Sequence, residues 1–356
     1  MLAPLSLFSG KRILVTGDTG FKGSWLCFWL RELQADVVGY ALPPKTQEDL
    51  FNLLGLEKLI HHIAGDLRDL DRLQPVFDEF QPEFLFHLAA QSLVRLSYKE
   101  PKLTFDTNVG GSVNVLEAVR ATPSLRSVIF VTSDKCYRNK EWVWGYREND
   151  ELGGYDPYSS SKAAAELVLS AYQNSFFYDR KGMGVASVRA GNILGGGDWA
   201  EDRLVPDIMK SLRKNTPIIL RNPGATRPWQ HVLDPLGGYL LLASHLYTAP
   251  QELTGPFNFG PSGESIRTVH DLAAKIVKNW GGGHICVEKA PDAPHESGLL
   301  HLNCDKARRL LHWRPKWDFD RTIKETVFWY KHVESGESAV ALTKQQIMDY
   351  MENGHD

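Results

Sequence analysis

Five side chains near the middle of the sequence carry acid–base chemistry: Ser133, Asp134 and Lys135 in "VTSDKCY", then Tyr158 and Lys162 in "YSSSK". The tyrosine and the second lysine are four residues apart, the interval that puts two side chains on one face of a helix. A phenol that is to take a proton from an alcohol needs its anion stabilised, and a neighbouring ammonium does this by charge. The adjoining acid and base at 134 and 135 are a different kind of pair. They read either as an exposed ion pair in a loop or as equipment for a second proton transfer.

Chemistry of this kind needs a frame. The short apolar runs "RILVTG", "DVVGYA", "HHIAGD", "EFLFHLAA", "RSVIFVTS" and "VASVRAG" have the length and composition of fully buried strands, and longer helical segments separate them. This predicts an α/β fold, a Rossmann-like doubly wound parallel sheet with helices on both faces. Because "VTS" ends one of those runs, the Asp–Lys doublet is expected at the mouth of the sheet. After Asn192 the rhythm breaks into "GGGDWAEDR", "RNPGATRPWQH" and "GPSGE". We expect a dinucleotide-binding domain over 1–190, with a return segment near 228–250, and a smaller, mainly substrate-binding domain over 191–356.

The first run feeds "TGDTGFKG", with Gly17, Gly20 and Gly23 at three-residue spacing and Thr19, Phe21 and Lys22 among them. Glycines let the backbone turn tightly and approach a pyrophosphate, and the following helix presents free N–H groups to it. A GxxGxxG loop between a strand and a helix resembles the short-chain dehydrogenase/reductase superfamily in its extended form. The resemblance implies that Asp66 and Leu67 of "AGDLRD" hold the adenine and that Ala89 and Ala90 of "HLAA" run beside the cofactor. It makes Ser133, Tyr158 and Lys162 the oxidising set, the serine hydroxyl sharing the substrate oxygen with the phenol. An acid commonly follows the second strand in such proteins and holds the adenosine ribose. "GYALPPKT" supplies none and Lys45 lies nearby, so NAD is expected with NADP left open.

Reductases and sugar epimerases of the superfamily need only that set. Nucleotide-sugar 4,6-dehydratases use two further groups directly after the Ser/Thr, to take the C5 proton and expel the C6 hydroxyl. The dTDP-glucose branch carries aspartate then glutamate there; the CDP-glucose branch carries aspartate then lysine, as here. "TGFKGSWL", "AAQSLVRLSY", "TSDKCYRNKEWVWGYREN", "GGYDPYSSSK", "SVRAGNILGGGDWAEDRL" and "RPWQHVLDPL" resemble that branch over most of the chain. The resemblance implies a hydro-lyase acting on CDP-glucose with NAD. Either Lys135 takes the C5 proton while Asp134 gives one to the C6 hydroxyl, or Lys135 carries the proton alone. Position 18 departs from the pattern, with Asp18 where a histidine is expected.

For the substrate, the resemblance places Asn192 and Arg189 of "RAGNILGGG", Arg227 of "RPWQH" and Ser92 of "AAQS" near the sugar nucleotide. Arg203 and Arg221 stand in polar loops, where planar guanidinium groups suit a diphosphate, and His295 in "APHES" is a further candidate. The aromatic stretch "EWVWGYREN" is either core or a lid over the hexose. Competing readings are a UDP- or dTDP-hexose dehydratase, a 4-epimerase, and a non-catalytic dinucleotide-sensing module, which would have no need of Ser133, Tyr158 and Lys162 together.

With 356 residues, a formal charge of -3 and no basic stripe, a nucleic-acid partner is not expected. Cys27, Cys136, Cys286 and Cys304 lack metal-ligand spacing, and no metal is expected. No apolar run nears the ~18 residues of a membrane span, so a cytoplasmic location is expected. By resemblance the chain is a homo-oligomer, a dimer or a tetramer.

Overall fold

The strand runs are apolar throughout because their alternating side chains enter two separate apolar layers. In β1 (Arg12–Thr16) Leu14 points into one layer, Ile13 and Val15 into the other. The computed structural model describes residues 3–288 and 298–352. After β1 come β2 (Asp36–Ala41), β3 (His61–Ala64), β4 (Phe84–His87), β5 (Ser127–Val131) and β6 (Gly184–Ala190). The chain then makes the short strands β7 (Ile193–Leu194), β8 (Ile218–Leu220), β9 (Thr226–Pro228) and β10 (Gln230–His231) before β11 (Phe257–Phe259). The main sheet has seven parallel strands in the order β11-β6-β5-β4-β1-β2-β3. Strand order reverses between β1 and β4, and a crevice opens at the carboxyl ends there, the place where such sheets bind ligands. β11 is only the three residues "FNF", too short for periodicity to register. It escapes a reading of the sequence and adds a seventh strand to the six expected.

The helices are α1 (Phe21–Glu32), α2 (Leu50–Leu53), α3 (Leu70–Phe80), α4 (Val94–Lys99), α5 (Pro101–Phe105), α6 (Gly111–Ala121), α7 (Pro157–Tyr172), α8 (Leu204–Arg213), α9 (Leu233–Thr248), α10 (Val269–Trp280), α11 (Asp305–Leu311), α12 (Phe319–Glu334) and α13 (Ala339–Glu352). α3, α6 and α7 give Leu73, Val115 and Ala165 to one layer of the sheet; α1 and α9 give Trp25 and Leu236 to the other. Three small ladders organise the rest: β7 with β10, β12 (Ile266–Thr268) with β9, and β13 (Ile285–Val287) with β8.

The last helices brace α1. Tyr350 of α13 meets Trp29 edge to face at 5.7 Å, and the Trp25 indole N–H donates to the Gly196 carbonyl at 3.0 Å. Asp234 in α9 ties this layer together, its Oδ1 accepting from the Lys316 backbone N–H (2.7 Å) and the Tyr350 hydroxyl (3.1 Å). Oδ2 is buried with no hydrogen-bond partner among the described residues, and burial pushes the carboxyl up to about 7. A carboxyl raised on folding stabilises the fold fully only below its unfolded value near 3.8 and loses that contribution as pH climbs to about 7. Asp234→Asn should therefore raise the thermal midpoint at pH 8 by at least about 2 °C and change it less at pH 5. Equal shifts at the two pH values would contradict an ionisation cost.

Candidate active site

The glycine loop is shaped by close approach. Gly17 has φ +81, and a Cβ there would lie 2.7 Å from the Ala89 nitrogen; a Cβ on Gly23 would lie 2.0 Å from the Gly17 oxygen. The loop, the first turn of α1 and the segment after β4 are thereby pressed into one cradle. Gly20 caps α1 without a side-chain hydrogen bond, so the first N–H groups and the positive end of the helix face the crevice open to an anion. Phe21, Lys22 and Ala90 line the crevice, and Thr19 fastens the loop through its hydroxyl to the Leu42 carbonyl at 2.8 Å. Asp66 is gripped by Arg68 at 2.6 Å, and Leu67 beside it is buried. This donor set fits a dinucleotide.

Beyond β2 stands Leu42, 60% exposed. Asp18 adds no ribose-binding acid, because its side chain is fully buried and paired with His62 at 2.7 Å. Aspartate at 18 thus goes with a histidine on β3, and its carboxyl, raised by burial, faces inward.

The chemical groups gather at the end of β5. The chain leaves the strand at Ser133 and turns through a single 3-10 turn, Asp134–Cys136. The Ser133 hydroxyl donates to Asp134 Oδ1 at 3.0 Å and accepts from the Lys135 backbone N–H at 3.2 Å. Opposite, α7 begins at Pro157 and is capped by Asp156, which accepts from the Ser159 N–H at 3.0 Å; its first turn brings in Tyr158 and its second Lys162. Ser97 fixes that start by accepting from the Tyr158 N–H at 3.1 Å. Ser133, Asp134, Lys135, Tyr158 and Lys162 all line one cleft.

Burial governs their ionisation. It raises the Asp134 carboxyl against the pull of the Lys135 charge and the Ser133 hydrogen bond. It pushes the Tyr158 phenol up to about 12, with the Ser133 hydrogen bond and the Arg203 charge working the other way. It lowers Lys162 to about 8, and it lowers Lys22 to about 7 with help from the charges of Lys162 and Arg203. The expectation of a phenol already lowered by Lys162 is corrected. The Lys162 ammonium turns to the Val131 carbonyl at 3.3 Å, and burial outweighs the cationic charge around the phenol.

Asn192, Arg203, Arg221 and Arg227 line the same cleft, as does Ser92, which accepts from Arg203 at 3.1 Å. Arg203 is also paired with Asp198 at 3.1 Å. Arg189 is different. It is absent from the cleft lining and 2% exposed, its guanidinium taken up by Glu166, Tyr137 and the Glu148 carbonyl. A substrate contact from Arg189 is therefore corrected to a place in the scaffold, because the strand turns this side chain under the site rather than into it. His295 lies outside the described residues. In the aromatic stretch Trp142 stacks on Tyr146 at 5.3 Å, and Tyr146 on Tyr137 at 5.2 Å, while Trp144 is 68% exposed. The stretch is thus packing with one ring in solvent. Reasoning from sequence passed over Glu166, although it follows Lys162 by four residues on the same helix face.

A family model described as GDP-mannose 4,6 dehydratase matches residues 14–326. The chain is 49% identical over 350 residues to CDP-glucose 4,6-dehydratase of Salmonella typhimurium, covering 97% of this chain and 98% of that one. It is 25% identical to dTDP-glucose 4,6-dehydratase 1 of Escherichia coli, over 90% of this chain and 92% of the relative. Among solved structures it resembles Thermus thermophilus UDP-glucose 4-epimerase in complex with NAD, with a TM-score of 0.77 and 26% identity over 90% of this chain and 99% of that one. The fold is also that of Bacillus anthracis dTDP-glucose 4,6-dehydratase, with a TM-score of 0.76 at 23% identity over 92% and 98% of the two chains.

Gly23→Ala should remove dinucleotide binding, weakening it at least tenfold (about 1.4 kcal/mol) in a fluorescence titration with NADH, while circular dichroism stays that of a folded α/β protein. Unchanged affinity in the folded variant would contradict the cradle described here.

Proposed function

Because the chain belongs to the nucleotide-sugar 4,6-dehydratase family of the GDP-mannose 4,6 dehydratase model, we propose that it converts CDP-D-glucose to CDP-4-dehydro-6-deoxy-D-glucose with NAD as its cofactor. The observation that carries this reading is the buried Asp134, hydrogen-bonded to Ser133 at 3.0 Å, with Lys135 next to it in the cleft that holds Tyr158. An oxidation at C4 alone has no use for that acid and base.

Bound NAD would accept the hydrogen of C4 with its electron pair, return it to C6, and so end the cycle oxidised. Tyr158 takes the C4 hydroxyl proton, with Ser133 holding the same oxygen. Tyr158 needs cationic help to do this, since burial holds its phenol at about 12; Lys162, on the same face of α7, is the group to supply it. The 4-keto group that results acidifies the proton on C5, and Lys135 removes it. Asp134 gives its proton to the C6 hydroxyl, which departs as water; a carboxyl raised by burial is suited to hold that proton. Lys135 then returns a proton to C5, and the proton that Tyr158 took from the C4 hydroxyl makes good the one Asp134 gave to the departing water, so the cycle closes with the loss of one water. Asn192 and Ser92 border the sugar, and Arg203, Arg221 and Arg227 meet the diphosphate, where guanidinium groups bind two oxygens at once.

The test is incubation with NAD and, separately, CDP-, UDP- and dTDP-glucose, followed by mass spectrometry. Loss of one water from the CDP sugar is expected; loss only from another sugar nucleotide would discard the cytidine assignment and keep the reaction class. Lys135→Met should still oxidise C4 but lose at least about 100-fold in deuterium exchange at C5, the lower range for removing a general base. Normal exchange in that variant would rule out Lys135 as the C5 base.

The homo-oligomer is part of the same proposal. Phe105 on α5, Leu167 on α7, Phe176 and Tyr178 are 39%, 60%, 51% and 64% exposed, and this apolar flank of the sheet supports a contact with a second copy. Leu167→Asp/Phe176→Asp should yield monomers by light scattering where the unaltered chain is larger; a monomeric unaltered chain would defeat the idea.

A further inference from the structure

We infer that Glu166 is a positioning residue of this site: its carboxylate fixes both ends of the loop carrying Ser133, Asp134 and Lys135 and stands one helical turn beyond Lys162. The inference rests on the dehydratase reading for its kinetic assay.

Glu166 lies one helical turn beyond Lys162, is 5% exposed and is absent from the cleft lining, so it acts through other groups. Its Oε1 accepts from the Thr132 hydroxyl at 2.5 Å and Arg189 Nε at 2.9 Å; its Oε2 accepts from the Ser187 hydroxyl at 2.8 Å and Arg189 Nη2 at 2.7 Å. Both oxygens are thus doubly occupied, each by one guanidinium and one hydroxyl donor. Thr132 directly precedes Ser133, so the first of these bonds holds the entrance of the catalytic loop. The exit is held through Arg189, whose Nη1 donates to the Tyr137 hydroxyl at 2.7 Å and whose guanidinium lies 4.9 Å from the Tyr137 ring. Tyr137 passes the contact on to Asn258 Oδ1 at 2.8 Å, which ties the loop to β11. Strand β6, the chain just past β5 and helix α7 therefore meet at one carboxylate, and β11 is joined to it through Tyr137 and Arg189.

Charge is the second part. The titratable groups acting on or answering to Lys162 are Glu166 on its own helix, Cys136 in the catalytic loop, Lys22 on α1 and His87 on β4. His87 is lowered to about 3, chiefly by burial, and Cys136 is raised well above its ordinary range by burial. Neither carries charge at neutral pH. That leaves Glu166 as the anion opposing the desolvation of Lys162, which burial has already brought to about 8.

The experiment compares Glu166→Gln, the charge-balanced Glu166→Gln/Arg189→Met and Thr132→Val with the unaltered enzyme. Each is assayed for the pH dependence of kcat on CDP-glucose and for NMR titration of the labelled Lys162 side chain. Loss of the Glu166 charge should move the Lys162 titration and the alkaline limb of kcat down by about one pH unit or more, with KM within about twofold. Thr132→Val keeps every charge, so it should lower kcat severalfold and leave the limb in place. If the single Glu166 variant does not fold, the double variant decides, since it buries no bare guanidinium; if neither folds, Thr132→Val decides. A double variant that titrates like the unaltered chain, or a Thr132→Val with unaltered kcat, overturns the inference. An unaltered chain that turns over no sugar nucleotide would instead defeat the dehydratase reading, and the Lys162 titration would still judge Glu166.

Discussion

Exclusion of water from the end of β5 is the constraint on which the site depends. A carboxyl, a phenol and two ammonium groups are brought into one protein-lined corner, and in each case burial is the first cause of the shifted ionisation: Asp134 and Tyr158 upward, Lys162 and Lys22 downward. Desolvation always favours the neutral form. That is what an elimination across C5 and C6 asks for, since an acid that still holds its proton must stand beside a base in the same cleft at neutral pH. A proton passing within an aspartate–lysine pair changes no net charge, so the exchange draws no proton from solvent.

The same dryness would be ruinous without counter-charges underneath. Arg189 and Glu166 form a bidentate pair in the layer below, exposed by 3% and 4% at their side chains. Removing one member of such a pair typically costs about 3–5 kcal/mol, so it belongs to the scaffold first. Its ligands are nevertheless the residues flanking the catalytic loop, Thr132 and Tyr137, and through them packing in the sheet sets the position of a hydroxyl in the cleft. On the other side of the crevice α1 does the equivalent work. Trp25, Trp29 and the C-terminal helix hold it in place, and its uncapped first turn is left for phosphate.

Much of this was legible in the sequence, for physical reasons that differ from residue to residue. Buried parallel strands must be apolar on both faces, so "RILVT" and "SVIFV" announce themselves; a glycine that must admit a carbonyl within van der Waals distance admits no other residue, so Gly17 and Gly23 do too. Tyr158 and Lys162 were found because helical spacing is fixed. Arg189 was misread, since a strand residue faces the cleft or the core according to register, and the pattern "RAGN" does not say which. Glu166 went unread because a glutamate on a helix is ordinarily solvated, and only the arginine arriving from β6 makes it a buried partner. Asp18 looked like a departure from pattern; its meaning lay in His62, 44 positions away, a distance across which sequence carries no local signal.

The central claim, that this site oxidises C4 in order to eliminate water across C5 and C6, is tested most directly by following a label. CDP-D-glucose deuterated at C4 would be incubated with the protein and NAD in ordinary water, and the product examined by NMR. The account predicts a 4-keto sugar carrying the deuterium on C6 and a solvent-derived hydrogen on C5. Deuterium found back on C4 of an intact hexose, whether glucose or its C4 epimer, would mean that the acid and base at 134 and 135 perform no elimination, and would contradict the account.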